Sequence, residues 1–304
     1  MSDFTSNFWS WWIIAISVGG IVWCFWLLTK NKNTHVPVNE QGKPMQHIWD
    51  GDLQELNNPM PRWWISMFYI TLFFAVAYLA LYPGLGVFKG LLGWSQTGQY
   101  DTEMAQAKQQ YGPLYDKYLK QDLVALAADN KAMKTGERLF VNYCSVCHGS
   151  DARGARGFPN LRDNDWLYGG EAETIQTTIM YGRNGVMPAW QDALGGDEGV
   201  DQVAAYVMGL SGRDQDAGLA QKGKEKFDML CVACHMPDGT GNHAIGAPNL
   251  TDNIWLYGGT PSAIKRSIAA GRNGHMPAHS EFLGEARVHV LAAYVYSLSH
   301  ENKE

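Results

Sequence analysis

The chain has 304 residues, 46% of them apolar, and a formal net charge of −6 at pH 7, a length that predicts about two or three domains. All of the negative excess lies after residue 90, because residues 1–90 carry five acidic and five basic side chains. Nucleic-acid binding needs clustered lysine and arginine, so the acidic part argues against nucleic acid as a partner. The same charge would steer a basic protein partner, although an ordinary soluble surface also explains it.

The first predicted element is a membrane-spanning helix at about residues 8–28. This stretch, FWSWWIIAISVGGIVWCFWLL, has no ionisable side chain apart from the thiol of Cys24, and about 20 apolar residues of helix cross a bilayer. A signal peptide would begin with a basic segment and end at a small-residue cleavage site, whereas this chain begins MSDFTSN and the apolar run ends LLTKNK. A retained helix is therefore predicted, with Cys24 as a packing or lipid-facing residue.

A second uncharged run, WWISMFYITLFFAVAYLALYPGL at residues 63–85, predicts another membrane-spanning helix with aromatic residues near its ends. The connection between the two runs is basic, carrying Lys30, Lys32, Lys43 and Arg62. By the positive-inside rule, loop 29–62 is cytoplasmic and both chain termini lie outside. The predicted organisation is a first helix with its loop over 1–60, a second helix over 61–90 and a polar periplasmic linker over 91–126.

The rest of the chain consists of two copies of one unit, predicted as domains at 127–213 and 214–304. PNLRDNDWLYGGEAETIQTTIMYGRNGVMPAW at 159–190 and PNLTDNIWLYGGTPSAIKRSIAAGRNGHMPAH at 248–279 are identical at 19 of 32 positions, which marks an internal repeat. Each copy reads as a helix, a CxxCH motif, a loop, a short helix, a Met-Pro loop and a final helix, without strand patterns. The predicted fold class is all-α, with two transmembrane helices followed by two tandem domains.

The two CxxCH motifs, CSVCH at 144–148 and CVACH at 231–235, predict haem attachment. A zinc site takes four ligands, commonly from two CxxC pairs, which would leave both histidines without a role. A thioredoxin-like couple belongs to a βαβ context that is missing here. Haem uses every residue, because two thiols bond the porphyrin vinyl groups and the adjacent histidine ligates the iron. Two covalent haem c groups are predicted, with cysteines Cys144, Cys147, Cys231 and Cys234 and proximal ligands His148 and His235.

Both copies also supply a methionine before a proline at the same aligned position, Met187 and Met276, as candidate sixth ligands of the irons. A thioether ligand raises the reduction potential relative to histidine. His275 and His279 are rival ligands in the second copy, but their counterparts in the first copy are valine and tryptophan, so a shared scheme excludes them. His243, unmatched in the first copy, is predicted to be a surface loop residue. The candidates for propionate contacts or turn structure are Arg183, Arg272, Trp166, Tyr168, Trp255 and Tyr257.

Each copy resembles the class I cytochrome c domain. The residues that carry this resemblance are Gly136, Phe140 and Tyr206 in the first copy and Gly223, Phe227 and Tyr294 in the second. More specifically, HIWDGDLQELNNPMPRWWISMFYITLFFAVAYLALYPGLG at 47–86 resembles the membrane anchor of subunit III, the dihaem subunit of cbb3-type cytochrome c oxidases. The resemblance extends from Trp49 to the last helix.

The resemblance implies an electron-transfer subunit of the bacterial inner membrane that has no catalytic centre of its own. It would pass electrons from a donor cytochrome c toward oxygen reduction. The implied partners are a haem–copper catalytic subunit, a monohaem cytochrome c subunit, a soluble or membrane cytochrome c and membrane lipid.

The resemblance also implies exchanged sixth ligands, with Met276 serving the haem of Cys144 and Met187 that of Cys231. The sequence itself leaves exchange and pairing within each copy open. The alternative functions are a dihaem anchor or donor subunit of another respiratory reductase or dehydrogenase, and a dihaem peroxidase, which would need an open iron.

Overall fold

The structure, a computed structural model, describes residues 6–32 and 37–300. Residues 1–5, 33–36 and 301–304 lie outside the described residues. They belong to the start of the chain, to the loop predicted to be cytoplasmic and to the end of the predicted second domain. The chain forms two compact units, Met1–Gln109 and Gln110–Glu304.

The first unit is built around two apolar helices. Its elements are α1 Asn7–Asn31, β1 Pro44–Trp49, β2 Leu53–Leu56 and α2 Arg62–Leu81. Both helices are long and apolar enough to cross a membrane, and most of their large apolar side chains are exposed, as expected for a lipid-facing surface. The helix α2 ends four residues before the end of the uncharged run 63–85. Tyr82 adopts extended backbone angles because it precedes Pro83, which disfavours the helical region for the residue before it.

The two apolar helices run antiparallel. At one end, a β-carbon added to Gly86 would lie 2.7 Å from the backbone of Ser10. Further along, the rings of Phe25 and Tyr69 are 5.9 Å apart, and the ammonium of Lys32 lies 5.9 Å from the same tyrosine ring. The ends joined by the basic loop therefore share one side, in agreement with a hairpin of two spans.

A β-hairpin in the connecting loop was not predicted. The strands β1 and β2 pair antiparallel, with Trp49 opposite Leu53. Asp50 and Gly51 in the turn both have positive φ, 52° and 92°. An Asp-Gly pair favours such hairpin turns because these residues tolerate the left-handed region, so the signal was present in the sequence.

The second unit is mostly helical, which confirms the predicted fold class. The helix α3, Gln96–Leu119, runs from the first unit into it. The following elements are α4 Leu123–Ala127, α5 Asn130–Tyr143, α6 Ser145–His148, α7 Ala172–Tyr181, β3 Arg183–Met187, α8 Asp197–Leu210, α9 Ala217–Leu230, α10 Val232–His235, α11 Pro261–Ala270, β4 Arg272–Met276, α12 Ser280–Leu283 and α13 Glu285–His300.

The final helices of the two repeats are exchanged. The last helix of the chain, α13, packs against α4, α5 and α7 of the first repeat, and α8 packs against α9 and α11 of the second. Two separate apolar cores result. Each core therefore combines the front part of one repeat with the final helix of the other.

The residues typical of a class I cytochrome c meet across this exchange. The rings of Phe140 and Tyr294 are 5.7 Å apart, and those of Phe227 and Tyr206 are 5.1 Å apart. Both phenylalanines are fully buried, and each contributes about 1.5–3 kcal/mol by leaving water. A β-carbon on Gly136 would lie 2.5 Å from Cβ of Tyr294, so the helices cross at a point where only glycine fits.

A short antiparallel ribbon joins the two Met-Pro loops. The strands β3 and β4 pair with Gly185 opposite Gly274 and with Met187 opposite Arg272, although no strand was predicted in either repeat. The turns before them need glycine: Gly182 has φ 71°, and a β-carbon there would lie 2.3 Å from the carbonyl oxygen of Met276. The ribbon carries each methionine toward the core of the other repeat.

Candidate haem-binding sites

The two CxxCH histidines are held in the same way. Each motif forms one helical turn, α6 or α10, directly after a longer helix. The Nδ1 atom of His148 lies 3.0 Å from the carbonyl oxygen of Pro159, and Nδ1 of His235 lies 3.1 Å from that of Pro248. Donation from Nδ1 fixes the ring and leaves Nε2 as the basic nitrogen, the arrangement that metal-ligating histidines commonly have.

The histidines are also kept neutral. Burial lowers the pKa of both His148 and His235, while the bond to the proline carbonyl acts in the opposite direction. Neutral imidazole is the form that ligates iron. This role of the two proline carbonyls was not predicted, although the repeated Pro-Asn-Leu after each motif was a signal for it.

None of the four motif cysteines forms a disulfide with another described residue. Cys147 and Cys234 are exposed, whereas Cys144 and Cys231 are partly buried. Burial, together with the neighbouring thiol, raises the pKa of each of the latter two to about 11. Among the described residues, no cluster of three or more His, Cys, Asp or Glu side chains is arranged to hold a metal ion.

The exchanged packing decides which methionine lies near which motif. Met276 packs against the core that includes Cys144, and Met187 packs against the core that includes Cys231. Each half of the second unit thus combines two thiols, an imidazole and a thioether. This donor set fits haem c, and the proximity favours the exchanged ligand scheme that the resemblance implied.

The arginines in the GRNG turns have partners within the protein. The guanidinium carbon of Arg183 lies 4.5 Å from the centre of the Tyr168 ring, and its Nε donates to the hydroxyl of Thr178 at 2.9 Å. Arg272 repeats this pattern, 4.4 Å from the ring of Tyr257. These contacts support the structural role among the two predicted for the arginines.

Two tryptophans occupy matching places, Trp166 on the first core and Trp255 on the second. The remaining candidates separate by exposure: His243 and His275 are exposed, and His279 is partly buried. Asp165 was not predicted as a notable residue; it lies in the first repeat, near Asp252 of the second.

Comparisons with known proteins match most of the chain. A family model described as the N-terminal domain of cytochrome oxidase-cbb3, FixP, matches residues 41–89. A second model, described as cytochrome c oxidase, cbb3-type, subunit III, matches twice, at residues 131–207 and 218–295. The two matches of the second model coincide with the two sequence repeats.

The curated relatives carry the same description. The cbb3-type cytochrome c oxidase subunit CcoP of Rubrivivax gelatinosus is 49% identical, over 98% of this chain and 97% of its own length. Subunit CcoP of Cereibacter sphaeroides and subunit FixPc of Rhizobium leguminosarum bv. viciae are each 39% identical, over 83% of this chain and 93% of their own length. The similarity thus covers the anchor as well as both repeats.

Proposed function

Because the chain belongs to the subunit III family of cbb3-type cytochrome c oxidases, whose members are cytochrome c electron-transfer subunits, we propose that it carries electrons through two covalent haem c groups. One group would be held in each half of the second unit. The observation that carries this proposal is that the first cysteine of each CxxCH motif packs against the same apolar core as the methionine of the other repeat.

In the first site, Cys144 and Cys147 would bond the haem covalently, and His148 and Met276 would ligate its iron. In the second site, Cys231 and Cys234 would bond the haem, and His235 and Met187 would ligate its iron. Haem supplies a centre that gains and loses one electron. The protein fixes the proximal imidazoles through the proline carbonyls and holds the methionines on the paired strands, so that the ligand positions change little when the charge on iron changes.

The chain itself needs no catalytic acid, base or nucleophile for this role, and we propose that it has no catalytic centre of its own. Oxygen reduction would take place on a haem–copper subunit. A monohaem cytochrome c subunit and a donor cytochrome c would be the other protein partners. The relatives are named as subunits of such an oxidase, which supports an assembly of this kind.

The two apolar helices anchor the chain in a bacterial membrane, and we propose that loop 29–62 is cytoplasmic and that both haem-binding halves are periplasmic. The basic residues of the loop support this orientation. Haem c attachment also agrees with this orientation, because haem c is attached outside the cytoplasm, where the second unit would lie.

Purification from membranes in mild detergent tests the proposal. Copper, high-spin haem b and two covalent haems per chain should travel with this subunit, whereas Cys144→Ala with Cys147→Ala should leave one covalent haem on a denaturing gel. Loss of copper and haem b from an intact preparation would favour another respiratory reductase. A gel without haem at the mass of this chain would reject both.

A further inference from the structure

An unpartnered polar atom lies in the first candidate haem site. Among the described residues, only two buried side-chain polar atoms have no hydrogen-bond partner, the hydroxyl of Ser10 in α1 and Nδ1 of His279. A buried donor or acceptor without a partner destabilises the folded state. Such an atom calls for an explanation, and a redox role is one of those recognised.

Three observations place His279 at this site. It follows Met276 by three residues, and its backbone N–H donates to the carbonyl of Ile179 at 3.0 Å. Its ring lies 5.5 Å from that of Phe282, which lies 5.6 Å from the ring of Tyr143, the residue before Cys144. It also lies near the proximal ligand, since it is one of the groups that, after burial, lower the pKa of His148.

The second site has the same backbone and a different side chain. Trp190 occupies the position equivalent to His279, and its backbone N–H donates to the carbonyl of Ile268 at 3.1 Å. Its indole packs against the second apolar core. The two sites have the same types of predicted ligand. The side chain at this position is therefore a chemical difference between the two candidate haem sites.

We propose that His279 is a positioning residue of the first haem site, whose Nδ1–H donates a hydrogen bond within the site once haem fills it. The inference rests on the proposed function, since it needs haem on Cys144 and Cys147. With its positive end toward the haem, this N–H dipole would disfavour the added positive charge of the ferric state. Hydrogen bonds and polarity around a haem are recognised determinants of its potential. His279 therefore raises the potential of the first haem and makes the two haems unequal.

A redox titration of the intact complex, followed by haem c absorbance, tests this inference. His279→Leu removes the donor and should lower the potential of one haem c component, leaving the other in place. His279→Asn keeps an N–H near the position of Nδ1 and should restore most of the shift. The component that moves should be the one that Met276→His also moves, and Trp190→Leu should leave that component unchanged.

The reverse substitution, Trp190→His, adds a donor to the second site and should raise the potential of the other component. This variant decides the matter if His279→Leu does not accumulate. Unchanged potentials in His279→Leu or in Trp190→His, with two covalent haems still attached, would overturn the role of His279 alone. An absence of covalent haem from the wild-type chain would overturn the proposed function instead.

Discussion

The ring of Tyr294 lies 5.7 Å from the ring of Phe140, so the last helix of the second repeat completes the core of the first. The matching pair, Tyr206 and Phe227, is crossed in the opposite direction. The paired strands β3 and β4 also join the two Met-Pro loops, so the exchange of the final helices agrees with the proposed exchange of ligands.

Ligand exchange predicts that each methionine acts on the haem of the other repeat. In a chain with Cys144→Ala and Cys147→Ala, the remaining haem is attached at Cys231 and Cys234. Adding Met187→His should then remove the weak long-wavelength sulfur–iron absorbance band completely and lower the potential, because imidazole replaces the thioether. Adding Met276→His should leave the band intact.

The mirror experiment is its control. With Cys231 and Cys234 replaced by alanine, Met276→His should remove the band and Met187→His should not. The opposite result in both backgrounds would show that each methionine serves the haem of its own repeat.

The helix crossings predict a large penalty for one glycine and almost none for its neighbour. A β-carbon on Gly223 would lie 1.9 Å from the carbonyl oxygen of Gln202 in α8, whereas one on Gly218 in the same helix meets only the flexible side chain of Asp216 at 3.3 Å. Gly223→Ala should lower the free energy of unfolding by about 1–3 kcal/mol. Each kcal/mol lost should lower the Tm by about 2–4 °C. Gly218→Ala is the matched control, and equal Tm values for the two variants would contradict this close crossing.

Asp165 predicts a pH-dependent stability. Burial, followed by the charges of Asp252 and Asp163, raises the pKa of Asp165 to about 6, while His243 acts in the opposite direction. An acid that binds its proton more tightly when folded stabilises the fold when protonated, and this contribution is lost as the pH rises through about 6. Asp165→Asn should therefore raise the Tm at pH 8 and raise it less at pH 5.

Thermal unfolding of the wild type and of Asp165→Asn from pH 5 to pH 8 measures this difference in Tm. Asp101→Asn, at an exposed carboxylate in α3, serves as the control and should show no such change with pH. A constant difference in Tm between Asp165→Asn and the wild type from pH 5 to pH 8 would rule out the raised pKa.

The proposed orientation predicts which single cysteines a membrane-impermeant maleimide reaches in spheroplasts. Ser95→Cys, after the second apolar helix, should be labelled in intact spheroplasts. Asn58→Cys, in the loop between the two spans, should be labelled only after lysis, because the bilayer blocks the reagent. The reversed pattern would place the haem-binding halves in the cytoplasm.

Features that depend on local chemistry could be read from the sequence. Two uncharged runs of helical length predict the spans α1 and α2 because the bilayer thickness sets a length. Two CxxCH motifs predict the attachment points because thiols and imidazole must be adjacent to hold one haem. The strands β3 and β4 were missed because a ladder needs a partner strand, and the partner of β3 lies in the other repeat.

Only the tertiary structure decided how the two repeats are combined. Their helices carry the same glycine, phenylalanine and tyrosine pattern, so Phe140 would pack equally well against Tyr206 or Tyr294 as far as local contacts are concerned. The choice depends on how the connecting segments close, and the free energy of loop closure is a property of the whole folded chain. The sequence by itself therefore indicated the candidate residues for holding haem, and the folded chain decided which methionine packs on the same core as which CxxCH cysteine.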